Sequence, residues 1–341
     1  MSTDTELVPA AELSSFLVRL FKRTGMNRSG ARTLAAALVE ADLRGIPGHG
    51  SRLAPGLAAK LCDGRLNPRP VVTTLHTGTS VAAMDADLAP GPVAARHAVS
   101  AAAHLARRTG TALVTVRRTG HAGALGIPAG QLARRGLIGL VAAQTSGRSV
   151  AVLGGPGTVL LGNPALAVAV PAAGPRPPAL VDLASASMSW GRVHQHEREQ
   201  RPLPPGTALD QHGQPTTDPT AAAALLPSGP RAQGLAIVLE LLVGALTGGS
   251  ALPDGGEGRG LLCLAIDPTR LGSGDELTAA VADVSTALAE HRARLPGERA
   301  FAHRAQAAAH GVPVDRADLD RLIAAGAPAV RPPSTWIRTT R

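Results

Sequence analysis

The sequence predicts an α/β (α+β-like) fold, with strands in the middle of the chain and helices at both ends. Apolar residues recur with a helical period near both termini. Short apolar and β-branched runs separated by Gly and Pro fill the middle, and no repeat of fixed period is present. With 44% hydrophobic and 17% charged residues, the 341-residue chain can bury a large core. This composition excludes a disordered, collagen-like or disulfide-stapled protein.

The first helices are predicted from apolar stripes and from the residues that end them. Residues 9–24 carry one stripe at i, i+3, i+4 and i+7 spacing, and residues 29–43 carry a second that stops before Gly45. A third helix is expected at 92–108, ending at Gly110. The stripe of the first helix consists of Leu13, Phe16, Leu17, Leu20 and Phe21.

Strands are predicted for the middle of the chain, where apolar runs are short and bounded by turn residues. The expected strands are 111–117, 137–143, 158–161, 165–170, 179–183 and 261–266. A short helix is expected between Pro128 and Gly136. The stretch 192–219 is rich in Pro, Gln, His and charge, which favours a long surface excursion.

Helices are predicted again toward the C-terminus. Residues 234–246 place several leucines on one side of a helix, and a flexible Gly-rich loop follows. The final helices are expected at 276–295, 299–310 and 314–325. Helices at both chain ends predict a helical unit that combines the two termini.

The chain is basic, with 34 Lys and Arg against 25 Asp and Glu and a formal net charge of +9. The arginines are spread in pairs such as 107–108 and 134–135, without a basic run or a helix-turn-helix spacing. Three Phe, two Trp and no Tyr leave few rings on which bases could stack. These features disfavour a nucleic-acid partner and favour a phosphate or carboxylate on a small molecule.

No membrane segment is expected. Residues 149–175 lack charged side chains, but Gly and Pro divide them into short pieces that are typical of buried strands. Residues 1–9 contain acidic side chains and no basic, apolar run, so we expect no signal peptide. Cys62 and Cys263 stand alone, which favours a reducing, cytoplasmic location.

No metal centre is expected either. Two separate cysteines cannot complete a zinc set. One group of side chains imitates a ligand set, but an i, i+2 spacing in a Pro-rich stretch gives no rigid ligand geometry. This group consists of His194, His196, His212, Glu197 and Glu199.

Two of the eleven histidines lie in Gly-flanked loops at the ends of predicted elements. His49 is the centre of Gly-His-Gly, and His121 is the centre of Thr-Gly-His-Ala-Gly. Glycine lets the backbone approach a ligand closely, while the neighbouring element fixes the side chain. An imidazole with an unperturbed pKa of about 6.5 can exchange a proton near neutrality. Both are therefore candidate acid/base residues, the alternative being histidines that only cap or fill a loop.

Nucleotide-binding fingerprints are absent from the sequence. It contains no Gly-x-Gly-x-x-Gly between a strand and a helix and no Gly-x-x-x-x-Gly-Lys-[Ser/Thr] loop. A Gly-x-Ser-x-Gly nucleophile motif is missing as well. An ordinary Rossmann unit, a P-loop and a serine hydrolase are therefore disfavoured.

Several segments together resemble the signatures of the type 2 malate/L-lactate dehydrogenase family. The first is Ala-Asp-Leu-Arg-Gly-Ile-Pro-Gly-His-Gly at 41–50, and Asp-Gly-Arg-Leu-Asn-Pro follows at 63–68. Further matches follow in the order found in the family, over nearly the whole chain. They lie at 119–123, 162–164, 181–185, 204–219, 234–236, 265–268 and 295–298.

The resemblance implies an oxidoreductase that uses NADPH or NADH. It implies a non-Rossmann cofactor domain on a large, mainly antiparallel sheet, plus a helical domain from both chain ends, and a homodimer. We assign 5–75 with 275–341 to the helical substrate and dimerisation domain, and 76–274 to the cofactor-binding sheet domain. Family members act at C2 of small acids such as malate, lactate, sulfolactate, ureidoglycolate and cyclic 2-imino acids. The partner implied is a small-molecule carboxylate.

The resemblance also implies roles for individual residues. His49 and His121 match the two histidines of the family, and we expect His49 to donate the proton, with His121 as the alternative. Substrate contacts are implied for Gly48 and Arg52. Cofactor contacts are implied for Thr145, Asp182, Leu183, Ala184, Arg231, Gly297, Glu298 and Arg299.

Departures from the family pattern bear on the substrate. Gly48 stands where the family has Ser, and Leu53 stands where it often has an Arg that can bind a carboxylate. Leu57, Ala122 and Gln233 replace aromatic residues. A larger, less polar cavity is therefore expected, with a bulkier or cyclic 2-oxo or 2-imino acid as substrate. The leading prediction is a reductase of such an acid; the alternatives are a 2-hydroxy acid dehydrogenase and a non-catalytic binding protein.

Overall fold

The computed structural model describes residues 5–155, 157–256 and 258–336, and this part of the chain has a mixed α/β fold with ten α-helices. The helices are α1 (Ala10–Arg23), α2 (Arg28–Leu43), α3 (Ala54–Cys62), α4 (Gly91–Thr109), α5 (Gly126–Ala133), α6 (Trp190–Arg198), α7 (Pro230–Glu240), α8 (Gly274–Glu290), α9 (Glu298–His310) and α10 (Arg316–Gly326). A π-helical turn, Leu241–Ala245, continues α7.

The strands form three sheets. They are β1 (Thr5–Val8), β2 (Thr73–Thr77), β3 (Val81–Ala89), β4 (Thr111–Thr119), β5 (Ile138–Ala143), β6 (Val150–Ala151), β7 (Val159–Leu161), β8 (Ala165–Val170), β9 (Ala179–Ala184), β10 (Ala208–Leu209), β11 (Pro215–Thr216), β12 (Ala224–Leu225), β13 (Arg259–Ile266) and β14 (Val312–Asp315).

The largest sheet has seven strands in the order β2-β3-β4-β13-β5-β8-β9. Its neighbouring strands are antiparallel except for the parallel pair β3 and β4. Helix α4 connects that parallel pair and lays a face of small side chains against the sheet, with Ala94, Ala98 and Ala102 fully buried. Because alanine leaves the helix backbone close to the strands, α4 also brings its N-terminus close to the end of β4.

The two ends of the chain are joined by the antiparallel pair β1 and β14, with Val8 opposite Val312. Phe16 and Phe21 of α1 are fully buried, and one continuous apolar core extends from Val8 to Trp336 and includes residues of the large sheet. The seven strands of that sheet lie between residues 73 and 266. The division into a helical and a sheet domain at the boundaries given above stays a prediction.

Most elements predicted from periodicity are confirmed. The helices expected at 9–24, 29–43 and 92–108 and the strands expected at 165–170 and 179–183 agree with the structure within one or two residues. The short strands β1 and β14 were not predicted. Each has only four residues, and each is stabilised by its partner from the opposite end of the chain, which no local pattern shows.

The surface excursion predicted at 192–219 is mostly exposed, as expected, but it contains regular structure and a few buried side chains. Helix α6 occupies its start, with the Ser189 side chain accepting a hydrogen bond from the Arg192 N–H. Val193 and Leu203 are buried in a second apolar cluster, which also contains residues of the five-stranded sheet β11-β10-β12-β6-β7. The buried side chains of Val193 and Leu203 therefore anchor this otherwise polar segment against the second apolar cluster.

The helix expected at 234–246 is present as α7 and its π-helical continuation, but its apolar side chains are only partly buried. Leu239 is buried, whereas Val238 and Leu246 are at least half exposed. Among the described residues, no helix combines the length and the apolar character needed to cross a membrane.

Candidate active site

His49 is held by the segment that leaves α2. After Gly45, which has a φ of +72°, the chain forms two short 3₁₀ turns, Pro47–His49 and Ser51–Leu53. The left-handed backbone at position 45 is one that glycine adopts at little cost. This conformation turns the chain sharply after α2, and the His49 ring that follows is largely buried.

The buried carboxylate of Asp42 fixes this segment. Its Oδ2 accepts a hydrogen bond from the Ser51 N–H at 2.8 Å. Burial raises the pKa of Asp42 to about 6, against the opposing effect of the Ser51 hydrogen bonds. Gly50 has no side chain at the point where the carboxylate lies, and a Cβ there would collide with it. The backbone next to His49 is therefore packed directly on Asp42.

His121 follows β4, and contacts with β3 and α4 fix its backbone. The Gly120 N–H donates to the Ala89 carbonyl at 2.8 Å, which ties the end of β4 to the end of β3. Gly91, the first residue of α4, packs against the His121 carbonyl, and a Cβ at this position would collide with it. Both histidines thus lie on short segments whose backbones are fixed at glycines.

The two imidazole rings are stacked. Their centroids are 5.3 Å apart and their planes differ by 18°. The Gly123 N–H donates to His121 Nδ1 at 3.1 Å, so a neutral His121 carries its proton on Nε2. His49 Nδ1 is buried and finds no hydrogen-bond partner within the described ranges. A buried nitrogen without a partner is costly, which indicates a place where a ligand can supply one.

Burial sets the acidity of this pair. Burial, together with the smaller effect of the positive charge that a protonated His49 would carry, lowers the pKa of His121 to about 3. Burial also lowers the pKa of His49 below its usual value of 6.5. The two rings therefore do not carry charge together, and His49 is the one that gains a proton more easily.

His49 lines a cavity of about 320 Å³ between α2, α4 and α5. Much of its wall consists of small or apolar side chains: Ala36, Ala37, Pro92, Ala95, Ala122, Ala124, Ile127 and Pro128. Polar groups come from Thr33, Glu40, Gln131 and the two arginines Arg96 and Arg134. An apolar wall with a few polar groups is typical of a small-molecule site.

A second cavity of about 440 Å³ adjoins the first, because Ala124 and Ile127 line both. Asp182, Gly297 and Arg299, three of the predicted cofactor residues, line the second cavity. Asp182 Oδ2 accepts from the Gly126 N–H at the start of α5, at 2.7 Å. The structure thus brings residues from β9 and α9 together next to the His49 cavity.

Other predicted cofactor residues lie elsewhere. Leu183 and Ala184 are exposed at the end of β9, and Arg231 is exposed in the first turn of α7. Glu298 lines a third cavity of about 980 Å³, beside the second. Thr145 Oγ1 accepts from the Asn163 N–H at 2.8 Å and does not line any of these three cavities.

The two predicted substrate residues, Gly48 and Arg52, do not line the His49 cavity. Gly48 lies beside the start of α6, since a Cβ on Gly191 would come within 3.6 Å of its Cα. Arg52 lines a separate cavity together with Asp42, Arg198 and Asp318 and is not among the residues that line the His49 cavity. Leu53 packs against the main core. The arginines that line the His49 cavity are Arg96 and Arg134, which the sequence analysis did not select for a site.

The residues present fit a dinucleotide. Two adjoining cavities, one with a candidate acid and one with Asp182, Gly297 and Arg299, can hold the two halves of an extended ligand. Arg44 lines the second cavity, and its buried Nη2 has no hydrogen-bond partner in the described part of the chain. A buried guanidinium donor at this place suits a phosphate oxygen.

Comparisons with known proteins show which family the chain resembles. A sequence model of the malate/L-lactate dehydrogenase family matches residues 8–323. Ureidoglycolate dehydrogenase (NAD(+)) of Escherichia coli is 36% identical over 227 residues, which are 66% of this chain and 64% of that protein, so the chain matches less than two thirds of its length.

Two further relatives match over a larger share of the chain. Delta(1)-pyrroline-2-carboxylate reductase of Pseudomonas fluorescens is 32% identical over 91% of this chain and 96% of its own length. The crystal structure of delta1-piperideine-2-carboxylate reductase from Pseudomonas syringae superposes with a TM-score of 0.86 at 30% identity, covering 94% of this chain and all of that one.

Proposed function

The chain belongs to the malate/L-lactate dehydrogenase family, and we propose that it is an NAD(P)H-dependent reductase of a 2-oxo acid or a cyclic 2-imino acid. The observation that carries this proposal is the stacked pair His49 and His121, in which His49 lines the 320 Å³ cavity and its buried Nδ1 has no hydrogen-bond partner among the described residues. The cofactor residues next to that cavity support it. The largely antiparallel seven-stranded sheet supports it as well, since we propose that this sheet is a cofactor domain of non-Rossmann type.

In this reaction C2 gains a hydride, and the oxygen of C=O or the nitrogen of C=N gains a proton. The reduced nicotinamide, when bound, supplies the hydride. His49 donates the proton, because its pKa is depressed less than that of His121 and because a substrate carboxylate nearby favours its charged form. His121, neutral and held by the Gly123 N–H, offers its Nε2–H as a hydrogen-bond donor. The products are a 2-hydroxy acid or a cyclic 2-amino acid.

The wall of the His49 cavity supports a compact substrate with an apolar body. Ala122 is partly buried and lines it together with other small side chains, whereas Gly48, Leu53, Leu57 and Gln233 are not among its lining residues. One methylene more or less on a substrate in an apolar pocket changes selectivity by only about 10- to 200-fold. We therefore propose a preference for a cyclic imine over a short, doubly charged acid, but not an absolute one.

A purified sample tests this proposal directly. With NADH or NADPH and a panel of 2-oxo acids and five- and six-membered cyclic 2-imino acids, we expect loss of nicotinamide absorbance with at least one cyclic imine, faster than with oxaloacetate. The reverse direction is followed with the matching 2-hydroxy and 2-amino acids. Nucleotide binding without turnover of any candidate would contradict reductase activity, and it would favour a binding protein.

We also propose a cytoplasmic homodimer. Both cysteines are free, and one apolar face along α7 and its continuation is exposed. Its side chains are Ile237, Val238, Leu241, Leu242 and Leu246, with exposed fractions between 41% and 53%. A contiguous apolar face of this kind is typical of a protein interface.

Light scattering after size exclusion tests the dimer. We expect a particle of twice the 34.5 kDa chain mass, and Leu241→Glu is expected to shift it toward one chain mass. The control Leu271→Glu changes a leucine outside this face that is more exposed than Leu241, at 69% against 53%. A wild-type particle of one chain mass would refute the dimer.

A further inference from the structure

Arg44 is a buried guanidinium whose hydrogen-bonding capacity is only partly used. It is 4% exposed and lies over the ring of Phe301, with its Cζ 5.0 Å from the ring centroid. Its Nε donates to Glu40 at 2.8 Å, and its Nη1 donates to the Gly126 carbonyl at 3.1 Å. Its Nη2 is buried without a hydrogen-bond partner among the described residues.

Arg134 approaches the same part of α5 from the outside. A Cβ on Gly130 would lie 3.8 Å from Arg134 Nη1 and 3.8 Å from Arg44 Nη2, so both guanidinium groups approach the same point of the helix. Arg134 is exposed to the cavities around it, and no hydrogen bond or ion pair within the described ranges engages its side chain. Partial burial and the charge of Arg44 both lower the pKa of Arg134, as expected of two cations held together.

Cationic groups outnumber carboxylates at this point, where Arg44, Arg134 and Arg304 lie around Glu40 and Asp182 is the other carboxylate that Arg44 influences. Glu40 is the acidic group nearest to both arginines, and it already accepts from Arg44 and from Arg304 at 3.0 Å. Two guanidinium groups therefore already share this carboxylate, and Arg134 lies near it without an ion pair or hydrogen bond to it in the described ranges. An anion that accepts hydrogen bonds from Arg44 Nη2 and from Arg134 would give the buried Nη2 a partner. It would also reduce the repulsion between the two guanidinium charges.

The position of the two arginines identifies the anion. Arg134 lines the His49 cavity and also the 980 Å³ cavity that contains Glu298. Arg44 lines the cavity that contains Asp182, Gly297 and Arg299. A dinucleotide whose nicotinamide reaches His49 and whose other end reaches residues 297–299 must cross between these cavities, and its diphosphate is its middle part.

We propose that Arg44 and Arg134 form the binding site for the diphosphate of NAD(P)H. This assignment rests on the proposed function, because it takes a dinucleotide as the ligand. The planar guanidinium fork suits two phosphate oxygens, and Arg44 is preorganised by Glu40, Gly126 and Phe301.

Calorimetric titration of the wild-type protein and Arg134→Gln with NADH, NADPH and ADP-ribose tests the site without any turnover. We expect the Kd of all three ligands to rise by a similar factor, at least about tenfold, because the three share the diphosphate. The difference between the two proteins should shrink at high salt. The matched control is Arg135→Gln, which removes a neighbouring exposed arginine that does not line these cavities.

Arg44→Lys provides a second test, since it keeps the charge but loses the fork. Its thermal unfolding is measured first, and we expect ADP-ribose to stabilise it less than the wild type. Unchanged affinity for all three ligands in both variants would overturn the assignment. A loss of affinity confined to NADPH would also overturn it, because the arginines would then bind the 2′-phosphate and not the diphosphate. A wild-type protein that binds none of the three ligands would refute the proposed function itself and the diphosphate site with it.

Discussion

His49→Ala is expected to reduce its substrate about 10²- to 10⁴-fold more slowly than the wild type, which is the usual contribution of a positioned general acid. Nucleotide affinity should change little, because the residues that we assign to the cofactor line the adjoining cavities, and the one that also lines the His49 cavity, Arg134, is kept. Steady-state rates with a saturating cyclic imine, together with the Kd for NADPH, separate the two effects.

The pH profile adds a second measurement. A general acid must be protonated, so the rate of reduction by the wild type should fall as pH rises through the pKa of His49. Since burial lowers that pKa, the fall for the free enzyme should lie below pH 6.5. His49→Ala should lose this dependence. A profile that persists in His49→Ala and disappears in His121→Ala would assign the proton to His121 instead.

The sequence predicted this pair only as two separate residues. Each histidine was recognisable from its flanking glycines, but the meeting of the two rings depends on contacts that no local pattern contains. Gly91 at the start of α4 receives the backbone of His121, and Asp42 receives that of Gly50. The long helices α1, α2 and α4 were predictable because their periodicity repeats several times within the element, whereas the nine-residue elements α3, α6 and β3 were not predicted.

Unlike the two histidines, Arg44 and Arg134 could not be recognised as site residues from the sequence. Arg44 lies within a recognised motif and Arg134 within a basic pair, and neither pattern indicates a ligand. Only the folded structure places both guanidinium groups next to Gly130. It also shows that Glu40 accepts hydrogen bonds from both Arg44 and Arg304. The β1 and β14 pairing was missed for a similar reason, because each strand is too short to be predicted without its partner.

Gly50→Ala is expected to lower activity by about 10²-fold and to destabilise the protein by about 1–3 kcal/mol. The backbone of Gly50, with φ −92° and ψ −157°, is one that alanine can adopt, so the effect must come from the added Cβ. That Cβ would collide with the buried carboxylate of Asp42, a short side chain that cannot swing away. The segment must move instead, and a shift of about 1 Å at His49 is enough for such a loss.

A double-mutant cycle identifies the collision as the cause. Asp42→Ala removes the acceptor of the Ser51 N–H and is itself expected to destabilise the protein, but it also vacates the space that the methyl group introduced by Gly50→Ala needs. The double variant should therefore be more active than Gly50→Ala alone, with a favourable coupling energy. Gly48→Ala is the control for stability, because a Cβ there meets no atom within 4 Å. If the losses of the two single variants simply added, Asp42 would not be what holds the His49 segment in place.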